Sequence, residues 1–496
     1  MFPIKEEKMK VLFVTPQLGS WATHGNHVAP NQMHAQWAAY ARENKTIDPE
    51  VLDCKALGIP MDKMLALIKE KSPQVIVMGD ILHSYGGFAV QKYFNDSAAE
   101  IKKILPQVKI VVGGLWYSFF GKETLEKNPA IDFVVMGEGE LTFNELMDAL
   151  NKGKEDFSAI PGLSSRRHGS VVFGPVRDLI KNLDVLPLPA YDLFPMDKYV
   201  GHTYWKPFAE IVTSRGCTHG CKFCYEWSEH DPRALKHFQL WRSKSALKVV
   251  DEVELLEKKF GTKVIVIQED NFNLNGKRVK EFCEEKLRRN LHMKWVSLGC
   301  ASDWVRLEKD IPLMKKAGLF MAVFGIEVAS DNELRKLDKG ITVDQIFKTV
   351  EVLRRNDIAI VGDIMIGFDY DNEEIIKKRF EFADQVDPDV MWVGYLTPPP
   401  GSPIWADGIK RGWIDPDNLD MLKWDFLHPV VPTEFLSIED LGRLGAWGMR
   451  EFYSKPGRIQ RILESNFDEL AKLCFKDVMA GVGKWEAGAV KGEKHI

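Results

Sequence analysis

Short runs rich in Val and Ile alternate with amphipathic stretches along most of this 496-residue chain, and that alternation limits which folds are open to it. Strands are expected at Val11–Thr15, Glu50–Asp53, Val75–Gly79, Lys109–Gly113 and Phe133–Met136, with helices near Asn31–Arg42, Lys63–Lys71, Ala89–Ile104 and Leu141–Asn151. Near-continuous apolar strands separated by helices are buried on both faces, the pattern of a parallel, doubly wound sheet. Ligands of such sheets bind beyond the carboxyl ends of the strands, here Pro16–His27, Gly79–Gly87 and Gly113–Ser118. Gly79, Gly113 and Gly114 stand at those ends, where a missing side chain lets backbone approach a bulky ligand; glycines after strands are also ordinary turn residues.

The alternation resumes after Glu210. Strands are expected at Ile211–Ser214, Val264–Gln268, Trp295–Gly299, Met321–Ile326, Ile360–Ile366 and Val390–Leu396, separated by helices such as Lys244–Lys259, Val279–Arg289 and Val343–Arg355. Six such units fit a partial (β/α)6 barrel better than a closed eight-fold one, and barrels gather their active sites at the carboxyl ends of the strands. Between the two α/β regions, Ile160–Val176 reads as a hairpin and Leu183–Pro195 as a proline-rich strap. The expected organisation is a Rossmann-like domain over 1–155, a hairpin and linker over 156–200, a partial barrel over 201–400 and a mainly helical C-terminal region over 401–496.

A hydrophobic content of 45% supplies sizeable cores, and a net charge of −5 argues against a nucleic-acid binder, which needs a basic surface. No apolar run reaches the roughly 20 residues of a membrane span and Met1–Lys5 does not read as a signal peptide, so a cytoplasmic location is expected. Seven cysteines, an odd number, do not suggest a disulfide framework.

Three of them form Cys217-x3-Cys221-x2-Cys224, directly after the first expected barrel strand. Thiolates closely spaced on one loop are ligands for an iron–sulfur cluster, and three ligands for four irons leave one iron open to a substrate. A zinc site would need a second Cys pair, which the chain lacks, although His219 offers a fourth ligand.

The motif and the aromatic Tyr225 after it resemble the radical SAM family. The first 155 residues, with Val111-Val112-Gly113-Gly114 and Val135-Met136-Gly137-Glu138-Gly139-Glu140, resemble the cobalamin-binding domain that precedes many members. The resemblance implies a [4Fe–4S] cluster on Cys217, Cys221 and Cys224, S-adenosylmethionine cleaved reductively to a 5′-deoxyadenosyl radical, and bound cobalamin. By likeness of position it also implies S-adenosylmethionine contacts from Tyr225, Glu269, Ser297, Gly325, Glu327 and Gly367, and cobalamin contacts from Gly79, Gly113 and Gly114. The Asp-x-His-x-x-Gly motif of many cobalamin proteins is missing after the first strand. Asp80-Ile81-Leu82-His83 has the wrong spacing, so no axial cobalt ligand is assigned.

Within the family the nearest likeness is to the anaerobic magnesium-protoporphyrin IX monomethyl ester oxidative cyclase branch, through Ser214–Cys217, Glu226-Trp227, Trp241–Ser245 and His428–Pro432. The resemblance implies methylation of an unactivated carbon, with oxidative cyclisation or hydroxylation of a tetrapyrrole-like substrate as the alternative. A cobalamin-binding redox sensor is the reading from another class. The Thr397–Trp405 loop, Trp413 and Trp424 suggest a lid over a largely apolar or planar small molecule. A low-potential donor such as flavodoxin or ferredoxin is the implied electron source.

Overall fold

The structure, a computed structural model, describes residues 8–18, 27–80, 87–228, 233 and 240–491, with side chains to residue 480. Most of the expected ligand loops at Pro16–His27 and Gly79–Gly87, with Ile81-Leu82-His83 and Gly86, lie outside the described residues. The chain divides into two compact units, the first comprising Met1–Gly19, Pro30–Lys198 and Tyr225–Phe238 and the second the remainder.

The first unit is built on β1 (Met9–Thr15), β2 (Ile47–Asp53), β3 (Val75–Asp80), β4 (Lys109–Gly114), β5 (Phe133–Val135), β6 (Leu163–Arg167) and β7 (Ser170–Phe173), in the order β2-β1-β3-β4-β5-β6-β7. Every pair from β2 to β5 is parallel. Successive side chains of a strand point to opposite faces. Thus Leu12, Val14, Ile76, Met78, Ile110 and Val112 build the core on one face, and Val11, Phe13, Val75, Val77 and Val111 the core on the other. The order reverses between β1 and β3, which makes their carboxyl ends the switch point of the sheet. There the Gln32–Glu43 helix starts, its Asn31 cap accepting from the His34 amide and donating to the Gly79 carbonyl.

The hairpin departs from its expected place in a linker: β6 pairs antiparallel with β5, and β7 with β6, so it extends the first sheet. The proline strap belongs to the same unit. Ala190 donates to the Ala35 carbonyl, Gln36 to the Pro187 carbonyl, and Ile180, Leu183 and Leu186 pack on Tyr40 and Leu141.

The second unit contains β8 (Phe208–Ile211), β9 (Ser214–Arg215), β10 (Arg242–Ser243), β11 (Val264–Ile267), β12 (Lys294–Leu298), β13 (Leu319–Glu327), β14 (Ala359–Ile366) and β15 (Val390–Tyr395). Six of these form one parallel sheet in the order β15-β14-β13-β12-β11-β8, a partial barrel whose end strands do not pair. Its helices carry strong caps: Ser245 and Gly261 bound Ala246–Phe260, and a Thr342–Gln345 capping box opens Val343–Arg354. The first strand lies three residues earlier than expected at its start, and Ser214 has left the barrel sheet to pair with Ser243.

The C-terminal helices pack mainly on the sides and amino-terminal end of this barrel. Ile438–Tyr453 lies along the end strand β15, the Tyr453 hydroxyl bonding both the amide and the carbonyl of Met391. Absent side chains permit close packing, since a Cβ at Gly445 would lie 2.1 Å from the Tyr395 hydroxyl of β15 and one at Gly448 2.1 Å from the Phe380 ring of the Glu373–Val386 helix. The last helix, beginning at Glu469, receives Trp205 Nε1 on Leu470 and Thr203 Oγ1 on Asp477, both donors preceding β8. Trp405 and Trp424 pack edge-on against each other and Trp424 Nε1 donates to Pro398, so neither presents the bare flat wall expected of a lid. Among the described residues no helix is long and apolar enough to cross a membrane.

Candidate active site

The cysteine loop follows β9. Gly216 has φ +81°, and a Cβ there would lie 2.3 Å from the Leu240 carbonyl oxygen, so the turn into Cys217 needs glycine. Lys222 ties the far side of the loop down, its amide to Leu337 and its ammonium to Lys336. None of Cys217, Cys221 and Cys224 is in a disulfide; Cys221 is buried and the others are half-buried. Burial pushes Cys217 up to about 12 and Cys221 up to about 11, values that metal ligation would reverse. Among the described residues no three His, Cys, Asp or Glu side chains are grouped to hold a single metal ion. Three thiols on one turn suit a multi-iron cluster, whose ligands bind different irons.

Glu269, at the carboxyl end of β11, was expected to meet S-adenosylmethionine. It is 1% exposed and fully engaged: Thr213 donates to it from both amide and hydroxyl, Ser214 from its hydroxyl, and Arg278 lies 3.7 Å away. Both carboxylate oxygens thus hold the strand-to-loop connection that leads to Cys217. This also explains why the first strand stops at Ile211: the next polar groups bond a side chain instead of a strand. Ser297 is likewise corrected. It shares a face of β12 with Trp295, which packs on Phe272 and Phe282 in the helical layer, so it points away from the barrel lumen.

Glu327, at the end of β13, is different. Its carboxylate pairs with Lys339 at 2.6 Å, the two side chains 8% and 14% exposed. The strand bulges between Gly325 and Glu327, and Glu327 sits at φ +62°, a left-handed conformation that costs a residue with a side chain about 1–3 kcal/mol. Gly325 makes room for the pair, since a Cβ there would lie 1.9 Å from Glu327 Oε1 and 2.8 Å from Lys339 Nζ. Although burial opposes it, Glu327, Cys221 and Cys300 hold Lys339 well above the ordinary lysine range. The ammonium is thus fixed beside the cysteine loop. Across the strand pair from Gly325 lies the half-buried Asp363; burial, then Glu327, pushes its carboxyl up to about 8.

Gly367, after β14, has φ +101°, and its amide donates to Asp371, which Arg379 clamps from both sides. Tyr225 is half-buried on the turn Tyr225–Ser228, which packs in the first unit against Leu115–Phe119. Cys300, after β12, accepts from His219, and that bond together with Lys339 lowers its thiol against the effect of burial. Lys339 was missed in the sequence, where Lys339-Gly340 reads as a helix terminus. No local signal marks a lysine that turns inward.

In the first unit the glycines have internal reasons. A Cβ at Gly113 would lie 2.4 Å from the Trp37 ring and one at Gly79 2.0 Å from the Gly113 carbonyl oxygen. Packing alone therefore requires glycine at Gly113 and Gly79, while Gly114 (φ +113°) turns the chain into the Leu115–Phe119 helix. Two observations still suit a large polar cofactor at this edge. A Cβ at Gly137 would meet open space, and the fully buried His34 bonds Thr15 Oγ1 through Nδ1 while Nε2 has no partner.

The comparisons with known proteins agree with this arrangement. The radical SAM superfamily profile matches residues 211–383 and the B12-binding domain profile residues 28–147. The chain is 31% identical over 450 residues to an uncharacterized methyltransferase of Pyrococcus horikoshii, covering 90% of this chain and 93% of that protein. It is 26% identical over 438 residues to the anaerobic magnesium-protoporphyrin IX monomethyl ester cyclase of Rubrivivax gelatinosus, covering 87% of this chain and 75% of that one. Among solved structures, the cobalamin-dependent S-adenosylmethionine radical enzyme OxsB, with aqua-cobalamin and S-adenosylmethionine bound, aligns with a TM-score of 0.71 at 15% identity, covering 98% of this chain and 81% of that one. At that identity the likeness speaks for the fold.

Proposed function

Since the chain belongs to the cobalamin-dependent radical SAM enzymes, in which a B12-binding domain precedes the radical SAM domain, we propose that it methylates an unactivated carbon of a small molecule. When bound, the [4Fe–4S] cluster supplies the electron that cleaves S-adenosylmethionine to a 5′-deoxyadenosyl radical, and cobalamin supplies the methyl group. Cys217, Cys221 and Cys224 are the ligands we assign to the cluster, and Glu269 holds their loop in register through Thr213 and Ser214.

The observation that carries this reading is the buried Lys339–Glu327 pair beside the cysteine loop. One fixed ammonium and one fixed carboxylate are complementary to the carboxylate and ammonium of an amino acid, such as the methionine end of S-adenosylmethionine. Asp363, whose carboxyl burial pushes up, is the group we assign to the ribose hydroxyls. A low-potential flavodoxin or ferredoxin is the proposed electron donor. The test is anaerobic reconstitution with both cofactors, followed by mass spectrometry with methyl-labelled S-adenosylmethionine and cell extract. Formation of 5′-deoxyadenosine together with a labelled product is expected. Product without label points to oxidative cyclisation or hydroxylation, the chemistry of the cyclase relatives, and absence of S-adenosylmethionine cleavage defeats the enzyme reading in favour of a sensor.

A further inference from the structure

Within the C-terminal region, Trp424–His428 is joined to the carboxyl end of β15. The Tyr395 amide donates to the Phe426 carbonyl at 2.9 Å, the Phe426 amide to Thr397 Oγ1 at 3.2 Å, and Trp424 Nε1 to the Pro398 carbonyl at 3.3 Å. The neighbouring strand end is also near: the Leu396 amide donates to Ile366, the residue before Gly367. His428 therefore belongs to the end of the barrel where the cysteine loop and the Glu327–Lys339 pair lie.

Its imidazole is held by Asp425, which accepts from Nδ1 at 2.9 and 3.1 Å and from the amides of Leu427 and His428. Asp425 is buried and the His428 side chain is 44% exposed. Asp425 takes Nδ1–H and holds the ring above the ordinary histidine range, so the other ring nitrogen, Nε2, is left to hydrogen-bond outward, as a donor when the ring is protonated and as an acceptor when it is neutral. The other charged groups acting on the ring are Lys423 and Asp420, which pair with each other at 3.2 Å.

A turn alone would need only the two amide bonds to Asp425. Two features exceed that need: the ring itself is oriented, and between Asp425 and His428 the chain holds Phe426 at φ +66°. A bulky residue in the left-handed region is strained, and such strain persists where the surroundings over-determine it, most often at functional sites. The dyad, the strain and the attachment to the strand end all converge on these five residues.

We propose that His428 is a substrate-recognition residue whose Nε2 hydrogen-bonds a polar group near the carbon that reacts, with Asp425 as the positioning residue that fixes its ring. The inference rests on the proposed function for its setting. It narrows the largely apolar or planar class suggested by the tryptophans to molecules bearing a hydrogen-bonding group close to the reacting carbon. No proton need leave the substrate.

The test compares two substitutions in the full-length, reconstituted protein. In His428→Gln the amide reaches roughly where Nε2 stood; in His428→Asn it reaches roughly the Nδ1 position and so keeps the bond to Asp425. Each variant is incubated with cell extract and methyl-labelled S-adenosylmethionine. Product is scored by untargeted mass spectrometry as any extract compound changed by the parent, labelled or not. A failure of the methylation reading then shows as change without label, and a failure of His428 as the wrong order of variants. His428→Asn is expected to lower product at least about tenfold while iron content and extract-independent 5′-deoxyadenosine stay within about twofold, and His428→Gln to retain several-fold more product than His428→Asn. The reverse order, or full product from both, marks a purely structural turn and overturns the proposal.

Discussion

The carboxyl ends of β11 and β13 each carry a buried glutamate beside the cysteine loop, and the two have opposite surroundings. Glu269 receives Thr213, Ser214 and Arg278, all parts of the scaffold, and has little capacity left for a ligand. Glu327 stands on a bulged, left-handed end paired with Lys339, which Cys221 and Cys300 also attract when ionised. The contrast teaches that a carboxylate at a strand end is read by how many of its acceptor sites the chain already fills, not by its position alone.

The hardest way to break that contrast is Glu269→Ala. Removing the acceptor strands the buried Arg278 and the Thr213 and Ser214 donors, so the apo protein should lose about 3–5 kcal/mol in denaturant titration, and reconstituted iron should fall with it. Full stability would show that the β11 end is not an anchor. Next comes Glu327→Gln, which removes charge at constant size; a charge-assisted bond is worth roughly 1.5–3 kcal/mol, so calorimetry should find S-adenosylmethionine bound at least about tenfold more weakly. Glu327→Gln combined with Lys339→Met should be at least as stable as Glu327→Gln alone, because it leaves no unpaired buried charge, yet bind no better. Restored binding in the double variant would place the ligand contact elsewhere.

The first unit extends the contrast to glycines. Gly113→Ala should destabilise by about 1–3 kcal/mol through the clash with Trp37, and Trp37→Phe should relieve part of that cost; loss of cobalamin without loss of stability would return Gly113 to the ligand. The smallest effect is expected at Asp363. Its folded pKa, raised to about 8, means that the folded state holds a proton that the unfolded state releases near pH 4, so stability declines as pH rises through that interval and levels off above 8. Asp363→Asn should therefore raise the melting temperature by at least about 2 °C at pH 8 and by less at pH 5. An equal change at both pH values would mean that Asp363 is ionised throughout.

Much of this was legible in the sequence because it is local. The strands of the first sheet are runs such as Val75–Met78 that fill cores on both faces, and the cysteine spacing lies within one loop. What escaped depends on direction and register. Ser297 lies one residue from the lumen-facing positions of β12, so its side chain goes to the opposite face. Lys339 turns inward only because Glu327 and the thiols await it, and Glu269 was mistaken because its partners Thr213 and Ser214 are 56 and 55 residues away. The hairpin at β6 and β7 was recognised as a hairpin, but pairing with β5 is a long-range choice that its own residues do not encode.

Tyr453 gives the C-terminal region a different significance. An end strand with free amides and carbonyls is a template on which another chain can add itself, and β15 stands at the end of its sheet. By bonding both the amide and the carbonyl of Met391, the Tyr453 hydroxyl occupies one rung of that template, and the helix behind it, drawn in by Gly445 and Gly448, stands where an intruding strand would lie. The tail thus acts as a guard against edge-to-edge association, and a chain shortened before Ile438 would show its defect first as self-association.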